Sequence, residues 1–256
     1  MIVGLLALYF ILFGGGHETF LLDPNMEKMV SVYVKDKDRK SEIDKLIKQV
    51  EKSEGDFQKK IKKVYDKKLV ELNMNHASTP ADFTREYDSF YVDLTELLNG
   101  YLTSELKVRS LIHPNEWDSI MNKAIKQPDE MKARKSMLQQ NQKLQDELIL
   151  ACNKYISDPT SRAKANVIIG DYEIKGDNLM EAFLEMNFHY LKALRPYKVT
   201  RADFEPIRSK MIELRKNYSA YIVEMRFKLM ALTPEKNWKD LSKELNNCFA
   251  YLGAGD

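Results

Sequence analysis

At 256 residues, with 44% hydrophobic and 30% charged side chains, the chain can build one large or two small domains with a sizeable core. A formal net charge of +2 supplies no global field that would point to nucleic acid or an acidic partner. Ten glycines and eight prolines argue against a loop-rich all-β fold, and lysine outnumbers arginine about three to one, which suits solvated helix faces better than bidentate phosphate recognition.

Met1 to Phe13 is uncharged and almost wholly apolar, and Gly14-Gly15-Gly16 follows. No Gly-Lys-Ser/Thr follows the glycines, so they do not form a phosphate loop. As a helix, the first sixteen residues span roughly 24 Å, short of the ~30 Å hydrocarbon core, with Phe20, Leu21 and Leu22 available to extend the contact. A secretory signal peptide carries a basic n-region and none is present. The expectation is a membrane anchor over residues 1–22, with a cleaved signal peptide as the alternative, and a linker over 23–35. The first basic cluster, Lys35 to Lys40, lies about twenty residues beyond the membrane edge. The positive-inside rule therefore gives no reason to hold the body in the cytoplasm. An extracytoplasmic body is expected, periplasmic in a Gram-negative source, with the cytoplasmic face as the alternative.

Met29 to Val34 alternates and reads as a short strand or an extended lead-in. From Asp36 the pattern is helical, with Ile43, Leu46, Val50, Phe57, Ile61, Val64 and Leu72 on one seam and Gly55 as a kink or joint. Lys59, Lys60, Lys62, Lys63, Lys67 and Lys68 form a basic run, the outer face of that helix or a contact for an acidic protein. Thr79 is placed to cap the next helix, Pro80 suits its first position, and Asp82 completes a capping box. Phe83, Tyr87, Phe90, Leu94, Leu97, Tyr101 and Val108 make its stripe, which reaches about Leu111. A shorter helix holding Trp117 follows, then Met131 to Ile156. Asp158-Pro159 marks a boundary, and Asn166 to Ile174 reads equally as a hairpin about Gly170-Asp171 or as helix. Thr200, Asp203 and Phe204 then open another long stripe, ending before a last helix with Trp238. Pro206 fits only a first turn and predicts a start at Asp203.

Thr79, Asp82, Phe83 and Trp117 match Thr200, Asp203, Phe204 and Trp238 at one offset of 121 positions. The predicted fold is an all-α, elongated bundle of long antiparallel helices, a tandem duplication of units 36–157 and 158–256 packed as one body. Each Trp is expected to lock the short helix of its unit against the long one.

Chemistry-bearing constellations are sparse. Cys152 and Cys248 have no metal spacing and read as buried thiols, with a disulfide as the alternative. Glu181, Glu185 and His189 fall at four-residue steps, one residue longer than the Glu-x-x-His of a di-iron bundle, and read as a solvated face. No metal, no cofactor and no catalysis are expected. The expected function is a membrane-anchored helical scaffold or accessory subunit acting through other protein subunits. The alternative is a ligand-binding or sensory domain with a pocket between the long helices, lined by tyrosines and methionines.

Overall fold

The computed structural model describes residues 19–22, 26–124 and 130–248. There the chain is helical throughout, with no strand among the described residues. The helices are α1 (Met26–Tyr33), α2 (Lys37–Lys60), α3 (Asp66–Met74), α4 (Pro80–Leu111), α5 (Pro114–Ala124), α6 (Glu130–Tyr155), α7 (Pro159–Leu194), α8 (Arg201–Leu232) and α9 (Glu235–Cys248). A 3-10 turn covers Phe20–Leu22, and a π-helical turn, Ile61–Tyr65, joins α2 to α3.

Helix α4 begins at Pro80 because Asp82 accepts both the Thr79 N–H at 2.9 Å and the Thr79 hydroxyl at 2.8 Å. Asp203 repeats the arrangement with Thr200 at 2.7 and 2.9 Å. These bonds, the backbone one first, hold both carboxyls below the usual range. Helix α8 therefore starts at Arg201 and not at Asp203. Pro206 lies inside it and denies a hydrogen bond to the Ala202 carbonyl, which belongs to an exposed residue that water can reach. At 32 residues each, α4 and α8 are about 48 Å long.

The two long helices run antiparallel through the centre. Phe83 meets Phe227 edge-on at 5.9 Å, Tyr91 bonds Ser219 at 2.7 Å, and Arg201 reaches Thr103 at 2.9 Å, so α8 numbers fall as α4 numbers rise. Helix α2 packs on α4, and α7 packs on α8. Helix α1 pairs with α5 and α2, as α6 pairs with α9 and α7.

Two sequence expectations change here, and one open choice is decided. Met29 to Val34 lies mostly in α1, whose Met26 and Val30, with Val34 beyond its end, are buried at four-residue spacing. Asn166 to Ile174 is helix, because Ala165, Ile169, Tyr172 and Gly176 make a buried seam that overrides the β-rich composition. Gly55 lies inside α2 without ending it, and the departure from α-geometry comes six residues later at the π turn. Residues 1–18 of the expected anchor lie outside the described residues. Thr19 and Leu21 are buried and Leu22 packs on the core, so these three belong to the body and not to a lipid contact. Among the described residues, no helix is long and apolar enough to cross a membrane.

The two halves bury corresponding positions. Before the π turn the offset is 122: Asp36 and Asp158 are the N-caps, and Ile43, Ile47, Val50 and Ile61 match Ala165, Ile169, Tyr172 and Phe183, all buried. After it the offset is 121: Leu69 and Asn73 match Tyr190 and Leu194, and Val108 and Trp117 match Leu229 and Trp238. A π turn closes over one more residue than an α turn; here the Asp66 N–H reaches back to the Ile61 carbonyl. It absorbs the extra residue without rotating the seam that follows.

Candidate interaction surface

The two tryptophans do more than hold a short helix on a long one. The Trp117 indole N–H donates to the Arg195 carbonyl at 2.9 Å, at the end of α7. The Trp238 indole N–H donates to the Asn73 carbonyl at 2.9 Å, near the end of α3. Each reaches the opposite half of the chain and satisfies a carbonyl that its helix leaves open. A buried arginine stacks on each ring. Arg109 lies 4.0 Å from Trp117 and donates to the Leu194, Pro196 and Tyr197 carbonyls. Arg226 lies 5.1 Å from Trp238 and donates to the Leu72, Asn73 and Asn75 carbonyls.

Phe83 and Phe204 are both buried, with different neighbours. Phe83 faces Phe227 and the Arg226 guanidinium, both on α8, whereas Phe204 faces Tyr190 on α7 at 5.6 Å. Tyr190 in turn donates to Glu105 at 2.7 Å, and Arg208 lies 3.8 Å from the same carboxylate. Burial raises the Glu105 pKa, against the pull of Arg208. Sequence reading passed over Glu105, Arg109, Arg208 and Arg226. The available signal was charge on the seam itself, since each stands three or four residues from a buried apolar neighbour.

The six lysines of the basic run are all exposed. Lys59 pairs with Asp56 at 3.3 Å, Lys60 with Asp93 at 2.5 Å, and Lys68 with Glu86 at 3.0 Å. Part of the run is thus neutralised within the chain, and the outer-face reading fits it. Glu181, Glu185 and His189 are exposed on α7. Cys152 is a free, buried thiol, and burial pushes its pKa up to about 12. The Cys248 side chain lies outside the described ones.

A groove of about 810 Å³ lies between the first half of α4 and the second half of α8. Tyr87, Tyr91, Ser219, Val223 and Phe227 line its depth, and Asp88, Lys216, Glu224 and Lys228 stand on its edges. The Tyr91 and Ser219 hydroxyls are hydrogen-bonded to each other at 2.7 Å. The 121-position offset carries Pro80, Ala220 and Glu224 onto Arg201, Asn99 and Thr103 at the other end of the pair. There Arg201 bridges the helices, through Asn99 at 3.4 Å and Thr103 at 2.9 Å. One end of the crossing is tied shut and the other is open.

Among the described residues the fold is an all-helical bundle, with an open groove at its central helix pair. No protein-family model, curated protein or solved structure matches the chain.

Proposed function

We propose that the chain is a helical scaffold or accessory subunit that works by protein–protein contact and not by catalysis. The observation that supports it is the open end of the α4–α8 crossing, an apolar groove with charged edges on two long helices held to each other through Tyr91–Ser219 and Arg201–Thr103. We also read the body as an internal duplication. Support comes from the reciprocal Trp locks, and from the π turn that accounts for the single-residue change in offset. On this reading the boundary falls ahead of α6 and not at 158, because α6 packs on α7 and α9 as α1 packs on α2 and α5.

The apolar run Met1 to Phe13 would tether the body to a membrane, with an extracytoplasmic body as the preferred orientation. Crosslinking in intact cells, followed by purification from membranes, tests the scaffold. It predicts a stoichiometric protein partner, and a lone monomer in the aqueous fraction would overturn it. A C-terminal reporter fusion reads the orientation. The groove's size and its two tyrosines also suit a small ligand, which a thermal shift with a compound library would detect.

A further inference from the structure

Resting on the scaffold reading, we propose that the α4–α8 groove receives one amphipathic helix of a partner protein, about four turns long, with an acidic edge facing Lys216. The geometry points to a helix first. Pro80, Thr84, Tyr87 and Tyr91 line one wall and Lys216, Ala220, Val223 and Phe227 the other, each at three- and four-residue spacing. Two walls so spaced present the ridges into which a third helix packs. From Lys216 to Ala231 the groove runs about 22 Å. Ala220 and Ala231 keep the α8 wall low, which allows close backbone approach.

The floor favours an apolar occupant. Its Tyr91 and Ser219 hydroxyls are bonded to each other, and the charged groups stand on the edges. A small-molecule site would add further convergent polar groups in that depth. Along the α8 edge, Glu224 and Lys228 are tied to each other at 2.6 Å. Lys216, exposed and 5.5 Å from the Tyr91 ring, stands at the inner end of the groove and offers its charge to the occupant.

The test uses the full chain and two synthetic 15-residue helical peptides with the same leucine face. One carries a row of Glu along one edge, and in the other each Glu is Gln. Fluorescence anisotropy should show the acidic peptide binding about fivefold more tightly than its neutral twin, the size of one or two rim charge contacts. Ala220→Trp, at an exposed wall position, should fill the groove and weaken both peptides more than about tenfold, with helical content and Tm unchanged. Lys216→Glu should reverse the preference. Binding that ignores Ala220→Trp, or a preference that survives Lys216→Glu, overturns the proposal. If Ala220→Trp also leaves crosslinked partners in place, the groove is wrong while the scaffold stands. If no partner crosslinks to the wild-type chain either, the scaffold falls with it.

Discussion

The two ends of the α4–α8 pair do the same mechanical work with different residues. At one end Arg226 and Trp238 cap the carbonyls that close α3. At the other, Arg109 and Trp117 cap those that close α7. The tryptophans correspond at the 121-position offset, but the arginines do not. The position matching Arg226 is Glu105, and Arg109 comes one turn later, where it shares a buried cluster with Tyr190 and Arg208. What the two ends share is a donor aimed at a helix end, because an open buried carbonyl costs the same whichever residue serves it. Beyond the locks the ends diverge, one bridged by Arg201 and one left as a groove.

The sharpest way to break the comparison is to remove the arginines. Arg109→Met should destabilise by about 4 kcal/mol and Arg226→Met by about 3 kcal/mol in denaturant unfolding, since each takes donors from a cluster of buried and partly buried carbonyls. Arg109 is expected to cost more because Glu105 also loses a neighbouring cation. Equal losses would show that Arg208 alone serves Glu105.

Trp117→Phe and Trp238→Phe should each cost about 2 kcal/mol, through one lost hydrogen bond and reduced stacking area. A neutral Trp238→Phe would show that the Asn73 carbonyl is held well enough by Arg226.

The π turn offers a pH-dependent test. Asp66, just beyond it, has its pKa pushed up to about 6 by burial, with Lys62 opposing. Its counterpart in α7 is Asn187. Because the folded-state pKa lies above the ordinary value of 3.8, ionisation opposes folding. That cost is absent below pH 4, grows as pH rises through about 6, and is complete above it. Asp66→Asn should therefore stabilise the chain by about 1–2 kcal/mol at pH 8 and leave it unchanged at pH 4, as thermal unfolding at both pH values would show.

The smallest effect belongs to the caps. Thr79→Ala and Thr200→Ala should each cost about 1 kcal/mol, and equal losses are expected because the two boxes share one geometry.

Helix class, the long stripes and the Thr79–Asp82 capping box were legible in the sequence because they depend on neighbours three or four residues apart, whereas Pro206 hid the second box. Phe83, Phe204 and the tryptophans stood out by their shared 121-position offset, and all four are buried. The π turn was not legible, because an inserted residue leaves the seam on either side intact and only a backbone path reveals how it is absorbed. A tyrosine-lined pocket between the long helices was an expectation, but which end of which pair would hold it was beyond reach. Ala220 and Lys216 look like any solvated helix face until α8 is laid antiparallel on α4 and Arg201 closes only one end. Local spacing decided which residues are helical and which face is apolar. Only the packing of distant helices decided that buried arginines cap the opposite half, because those carbonyls lie more than eighty residues away along the chain.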